Sequence, residues 1–435
     1  MDVEMTDEQK SGTVTYNGNT QQLRKLAVVT TLLTLITLGI YRFWARTRVR
    51  RYFWSAVTVD GHGFEYTGKG IEKFIGFLIA VAILAVYLGV FQVLLSFAGM
   101  SLFDMGDSES DQYRVILLTY ATFIGLAPLI FYAQYRARRY MLSRTKWKGI
   151  RFGADQAAWG YAIRAIGHWI ATIITLGILL PRQTFYLEKY KADRTWFGKA
   201  AFVQEGRWQS LYPAMKHIAI GVSLVIIGVM LLIYSGSFTS ISADLASIEE
   251  TVLDSSDTTE NMYIYLAVAY PLTFIGVIWA YIGLAYYNVH SYRILASQKR
   301  LGDDVRFISE PRTKRIIGIY LLGGLIISML APTIAGLIGG ILGFISQMLI
   351  GGFNLDMGSE MPVGVVIGGV FGYIALFVVM GVLNLIFITQ PITEHYAQVT
   401  KVNNADNLSK VIQREGDEMI EAEGFADALD VGAGF

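Results

Sequence analysis

No cysteine occurs among the 435 residues, which excludes disulfide cross-links and thiolate chemistry, whether nucleophilic or metal-binding. Histidine is scarce: His62, His168, His217, His290 and His395 are the whole set, and no two stand at metal-ligand spacing. No HExxH, GxSxG or Walker pattern is present. The sequence therefore reads as that of a non-enzyme, with no cofactor and no metal. Charge is also thin, at 16% Asp, Glu, Lys and Arg, against about 25% in ordinary globular chains. With 36 Lys plus Arg against 35 Asp plus Glu, the net charge of +1 gives no bulk attraction to nucleic acid. What fills the chain is apolar, 53% of it and in long blocks, which is the composition of a membrane protein. Residues 1–25 begin acidic and polar and lack the basic, apolar and small-residue regions of a secretory signal, so the chain is expected to insert uncleaved.

Windows long enough to cross roughly 30 Å of hydrocarbon, about 20 residues of helix, lie near 26–45, 74–98, 115–134, 161–180, 217–237, 263–286, 316–349 and 363–390. The loops between them sort by charge. Residues 99–114 hold one Arg, and 238–262 and 351–362 hold no Lys or Arg, which places these loops away from the cytoplasm. The loops 42–73, 135–160, 181–216 and 287–314 carry seven, seven, seven and six Lys or Arg, so all four are expected in the cytoplasm. A plain alternation of eight crossings cannot deliver that, because 161–180 is flanked by two basic loops, and 26–45 is flanked by Arg24, Lys25 and an Arg-rich exit. The expected fold is an all-α polytopic membrane protein. About six spanning helices form three hairpins (74–134, 217–286, 316–390), two shorter apolar elements enter and leave on one side or lie along the interface, and small β-hairpins sit in the cytoplasm. Eight full crossings with one misplaced basic loop is the rival topology.

Self-similarity supports the grouping. Thr34-x-x-Thr37-Leu38-Gly39-Ile40 recurs 138 residues later as Thr172-x-x-Thr175-Leu176-Gly177-Ile178. At an offset of 88, Arg48-x-Arg50-Arg51-Tyr52, Ser55, Gly61 and Phe64 correspond to Arg136-x-Arg138-Arg139-Tyr140, Ser143, Gly149 and Phe152. The stretch 56–66 alternates around Asp60-Gly61 as a β-hairpin should, with looser echoes at 147–152, 196–202 and 302–307. Such ribbons serve either as a partner platform or as linkers tucked under the bundle. The chain is divided accordingly into a cytoplasmic segment 1–25, repeat units 26–160 and 161–314, a third hairpin 315–392 and a cytoplasmic acidic tail 393–435.

LGIYRFWARTRVRRYFWSAVTVDGHGFEYTGKG, followed by SRTKWKGIRFG and ITLGILLPRQTFYLEKYKADRTWFG, resembles the YjgN-like family of bacterial inner-membrane proteins. The resemblance runs from about residue 14 to 400 and leaves the acidic tail after 403 outside it. It implies a multi-pass bacterial inner-membrane protein, with both termini expected in the cytoplasm, from a family without an established activity. It transfers no catalytic residues.

Polar groups within apolar windows are the default site candidates. Tyr161, Arg164, His168, Thr172 and Thr175 follow steps of three or four and form one helix stripe, matched in the first copy by Thr30, Thr34 and Thr37. Two such stripes face to face would line a wet path or a headgroup pocket. Alternatively, the Thr hydroxyls bond back to their own helix and Arg164 snorkels. Arg46, Arg48, Arg50 and Arg51, and Arg136, Arg138 and Arg139, are juxtamembrane clusters interleaved with aromatics, suited to anionic lipid at roughly 1 kcal/mol per charge or to a specific anionic ligand. Gly364, Gly368 and Gly372, and Gly336 with Gly340, form small-xxx-small ridges for close helix packing, with Gly339 and Gly343 as a second register. Pro128, Pro271 and Pro332 promise kinks, and 316–349 is expected to break near Ala331-Pro332. The leading functional expectation is passage or binding of a small or amphiphilic solute, because repeated units with broken helices mark many transporters. The alternative is a non-transporting scaffold that binds anionic lipid or partner proteins through its basic face. Membrane lipids are the expected partners, nucleic acid is not, and protein partners and oligomeric state stay open.

Overall fold

The computed structural model describes residues 11–97, 109–234, 256–351 and 362–414. Six helical stretches are long and apolar enough to cross a membrane: Gly70–Phe97, Tyr113–Ser143, Trp208–Tyr234, Ile264–Ser297, Thr313–Ile350 and Val363–Val399. They coincide with the six windows read as spanning. The three acidic loops between them fall largely outside the described residues.

In chain order, strands and helix pairs alternate. Strand β1 (Ser11–Tyr16) precedes α1 (Thr20–Ile36) and α2 (Arg42–Ala56), and β2 (Val57–Val59) and β3 (His62–Tyr66) precede α3 (Gly70–Phe97) and α4 (Glu109–Ser143). The pattern continues through β4 (Thr145–Trp147), β5 (Ile150–Ala154), α5 (Ala158–Ile174), α6 (Leu180–Ala192), β6 (Thr195–Phe197) and β7 (Ala200–Gln204). After α7 (Lys216–Tyr234) and α8 (Ser256–Ser297) come β8 (Lys299–Leu301), β9 (Val305–Ser309), α9 (Thr313–Ser346), α10 (Val363–Asn384), α11 (Gln390–Val399) and β10 (Thr400–Asn403).

All strands are short and antiparallel. Successive strands pair with one another, and β1 pairs with β10 as well as with β2. The expected hairpins form at 57–66, 145–154, 195–204 and 299–309. Asp60-Gly61 and Lys148-Gly149 turn the first two, with φ of 48° and 77°, and of 49° and 78°, the positive pair that a two-residue turn matching strand twist requires. Their apolar residues Val59, Trp147, Phe197, Leu301 and Val305 gather in one buried cluster with Val402 of β10, Ala405 and Leu408. Strands β1 and β10 carry no comparable sequence signal, and residues 400–410, read as the start of an acidic tail, form β10 and a 3-10 turn.

The chain divides into two compact units. Residues 206–296 with 311–317 form one, in which α7 and α8 meet at glycines: a Cβ on Gly283 would lie 2.7 Å from His217 C, and one on Gly276 2.8 Å from Val225 N. The rest of the described chain forms the other, with the strands and the remaining helices. Here α9 runs unbroken through Pro332, contrary to the expected break. A proline removes one backbone hydrogen bond, and the packing of Ile327 and Ala331 against Val379 and Leu383 holds the helix together across it.

Candidate functional site

The two short apolar segments are not single helices. Helix α1 ends at Ile36 and α2 starts at Arg42, while α5 ends at Ile174 and α6 starts at Leu180. Both reversals have the same atomic design. In the first, Gly39 N–H donates to Thr34 O at 2.8 Å and Leu38 N–H to Leu35 O at 3.1 Å; in the second, Gly177 donates to Thr172 O at 2.7 Å and Leu176 to Ile173 O at 3.0 Å. This double closure is a Schellman cap, which satisfies the last carbonyls of a helix while turning the chain. It needs left-handed backbone, found at Leu38 (φ 49°) and Gly39 (94°), and again at Leu176 (49°) and Gly177 (90°). Threonine finishes the job on both sides of each turn. Thr37 Oγ1 donates to Leu33 O at 2.7 Å and accepts from Tyr41 N at 2.9 Å; Thr175 Oγ1 donates to Ala171 O at 2.8 Å and accepts from Leu179 N at 3.3 Å.

The Thr-x-x-Thr-Leu-Gly-Ile signature is thus a recipe for a sharp helical reversal. Thr30 and Thr34 also donate to their own helix, to Leu26 O and Thr30 O, while the buried Thr172 hydroxyl finds no hydrogen-bond partner among the described residues. The expected face-to-face placement of the two stripes is not what the packing gives. Helix α1 packs on α2 and α10, and α5 on α4 and α6, because each apolar helix buries its small-residue face within its own neighbourhood. Tyr161 joins Tyr135 and Tyr190 in a buried aromatic cluster, Arg164 lies 5.0 Å over the Tyr190 ring, and His168 stacks on Tyr186.

The arginines separate by environment. Arg48 is exposed, 5.6 Å over the Tyr41 ring, and Arg46 is half-buried. Arg50, expected to touch lipid, is instead 6% exposed, bonded to the Tyr66 hydroxyl and lying over Trp54 and Tyr66. Two residues along the helix decide this, because Arg50 falls on the face of α2 that carries Phe43, Thr47 and Phe53 inward. Arg51 donates to Tyr66 O, and 88 residues on Arg139 donates to Ala154 O at 2.9 Å. Arg136 bonds the Tyr132 hydroxyl, and Arg138 reaches Thr195 on β6.

The glycine ridges also resolve. A Cβ on Gly339 would sit 2.6 Å from Gly368 O, one on Gly343 2.6 Å from Gly364 O, and one on Gly372 3.4 Å from Gly339 Cα. Gly336 and Gly340, expected at that contact, have nothing within 4 Å of a Cβ position. Both registers are small-xxx-small, and the rotation of α9 selects the other.

A family described as "Bacterial protein of unknown function (DUF898)" matches residues 11–428. The chain belongs to this family. The DUF898 match reaches past 403, so the acidic tail as far as residue 428 is part of the shared region, contrary to the expectation from the resemblance. Among curated proteins, the inner membrane protein YjgN of Salmonella typhimurium (strain LT2) is 26% identical over 152 residues, 34% of this chain and 33% of that one. YjgN of Escherichia coli (strain K12) is 36% identical over 66 residues, 15% of this chain and 17% of that one. The chain spans a third or less of the length of these relatives. No solved structure matches it.

Two ion-pair centres in this DUF898 member were not visible as motifs. On α6, Glu188 is paired with Lys191 at 2.7 Å and with Lys299 of β8 at 3.0 Å. Burial works against its charge, but Lys191, Lys299 and Arg138 outweigh it and hold the carboxyl well below its ordinary value of 4.5. A carboxylate depressed in the folded state contributes stability that is complete above its unfolded value and is lost as pH falls through the folded one. Thermal unfolding in detergent should therefore show a stability loss that sets in below pH 4.5, with Glu188→Gln flattening that limb and lowering stability at neutral pH. An unchanged acid limb in the variant would remove Glu188 from the account. The second centre joins Glu72, Tyr140 and Arg144. Each of these groups closes an apolar window, where charge counting registers a number and not a partner.

Proposed function

We propose that the protein is a non-transporting membrane scaffold whose two short hairpins enter and leave the membrane on the cytoplasmic side and whose basic, aromatic helix ends hold anionic lipid at that face. The observation that carries this reading is the pair of identical reversals with leucine at the left-handed position. A left-handed L-residue costs roughly 1–2 kcal/mol, a penalty glycine avoids, yet both turns place Leu there, 64% and 87% exposed, beside Ile36 and Ile40 or Ile174 and Ile178. Exposed leucine at a strained position gains nothing in water. In hydrocarbon its transfer offsets the strain. Seventeen residues of α1 or α5 rise about 26 Å, and the chain then returns toward its start, so a basic loop stays on the side from which the hairpin entered.

Solute passage has less support, since the hydroxyls of Thr30, Thr34, Thr37 and Thr175 are taken up by their own helices. Because the chain has no cysteine, single-cysteine labelling is clean. At Asp60 and Ala200, an impermeant maleimide should react only from the cytoplasmic side of intact vesicles. At Leu38 and Leu176 it should react from neither side, and a fluorophore there should be quenched by lipids spin-labelled within the acyl region. Labelling of positions 60 and 200 from opposite sides defeats the same-side arrangement.

A further inference from the structure

Between the end of α4 and the first turn of α5 lies a cavity of about 310 Å³ that the hairpin geometry alone does not require. Its lining includes Tyr132, Tyr135, Arg136, Arg139, Gln156 and Trp159, so that two cations face it, with Asp155 as the adjoining carboxylate. Arg139 is held by its 2.9 Å bond to Ala154 O and Arg136 by its 3.0 Å bond to the Tyr132 hydroxyl. A guanidinium carries five N–H donors in a planar fork, so a bond that fixes its place is compatible with binding an anion.

The same framework occurs 88 residues earlier among the described residues, with Trp44 packed against its helix start. Arg51 bonds Tyr66 O as Arg139 bonds Ala154 O, and α3 starts at Gly70 where α5 starts at Ala158, each 88 residues apart. In the first copy Trp44 presses on the helix start, where a Cβ on Gly70 would lie 2.6 Å from its ring, and Glu72 supplies a first-turn carboxylate. In the second copy the position of Trp44 is taken by Tyr132, which tilts onto Trp159 at 4.8 Å, the first turn of α5 has no acid, and the space is open. Beyond its rim, Trp159 (57% exposed), Ile163 (68%) and Ile170 (52%) continue as an apolar track along α5. A charged recess at an aromatic rim with an apolar track leading from it has the polarity profile of an amphiphile lying at headgroup depth.

We infer that this cavity binds a phosphate group, presented by the headgroup of an anionic phospholipid whose chains lie along α5. The inference deepens the scaffold reading by naming the ligand of one of its basic ends. The test uses the full chain in detergent, titrated with phosphatidylglycerol, phosphatidylcholine or inorganic phosphate, with thermal unfolding and lipid retention in native mass spectrometry as readouts. Phosphatidylglycerol should raise the unfolding temperature and be retained; phosphatidylcholine should do neither.

Arg136→Gln should weaken the apparent affinity at least about tenfold, the usual scale for one charge-assisted bond. Because arginine loss also disturbs packing, Ala158→Asp is the second variant. An acid in the first turn favours the helix, so this variant keeps its fold and helicity while its carboxylate repels phosphate from the cavity. Phosphatidylglycerol binding at the original strength in both variants overturns the site, as does equal stabilisation by phosphatidylcholine. Protection by inorganic phosphate alone, lost in both variants, keeps the phosphate chemistry and overturns the lipid source. Protection by neither phosphate nor phosphatidylglycerol overturns the inference. Binding is read in detergent, so its outcome is independent of how deep the hairpins lie in a bilayer.

Discussion

Glu72→Ala should cost about 3–5 kcal/mol of folding stability, the largest loss expected from a single side chain here, because it strands a buried guanidinium. Arg144 is 2% exposed, and its Nη2 lies 3.1 Å from Glu72 Oε2. Tyr140 donates its hydroxyl to the same oxygen at 2.8 Å, while the Arg144 guanidinium lies 5.6 Å over the Tyr140 ring. Glu72 sits in the first turn of α3, where a negative charge also meets the positive end of the helix. Removing the acid leaves the cation dry and unpaired. Removing both charges does not, so Glu72→Leu combined with Arg144→Met should recover most of the loss. A double-mutant cycle on reversible unfolding in mixed micelles checks this. A single Glu72→Ala variant within about 0.5 kcal/mol of the parent, the range of inert surface changes, would show that the pair contributes no stability.

Gly339→Leu should disrupt the α9–α10 pair, whereas Gly340→Leu, one residue on, should leave it intact. A first side-chain atom on Gly339 meets Gly368 O at 2.6 Å and Gly372 Cα at 2.9 Å, and both are backbone atoms on the facing helix. The helices must separate, which opens the stretch held by Val379 and Leu383 against Ile327 and Ala331. Overpacking of this kind costs roughly 1–3 kcal/mol, and more when the obstacle is backbone. At Gly340 the same side chain enters open space, and replacing a helical glycine gains up to about 1 kcal/mol in propensity. The difference between the two variants in unfolding free energy is therefore the informative quantity. Equal behaviour would mean that the close approach at Gly339 does not hold the pair together.

The six long apolar helices were legible because a bilayer imposes length and composition on whatever crosses it, and no tertiary contact can relax that demand. The hairpin at 57–66 was legible from turn chemistry, since two successive positive φ angles leave Asp-Gly few competitors, and the one at 145–154 only as a looser echo of it. Strand β1 was not. A six-residue polar segment becomes a strand here by pairing with β2 and with β10, whose residues lie almost 400 positions away in the chain. The polar stripe was half legible: threonine spacing was read correctly as helical, but a hydroxyl that bonds its own helix and one that faces a ligand leave the same letters in the sequence.

By itself, then, the sequence determined that the chain belongs in a membrane, which segments are long enough to cross, and that 26–45 and 161–180 share a design. Those properties are local, set by hydrophobic length, by charge beside it and by glycine at a turn. Only the tertiary structure decided that Arg50 points inward while Arg48 does not, that Gly339 and not Gly340 meets the facing helix, and that Trp44 packs on the helix start in one copy while a cavity stands beside Arg136 and Arg139 in the other. The glycine contact turns on about 100° of helix rotation and the two arginines lie two such steps apart, while the recess depends on what packs around Trp44 or Tyr132; all three are fixed by the sum of the contacts a helix makes, which no window of the sequence contains.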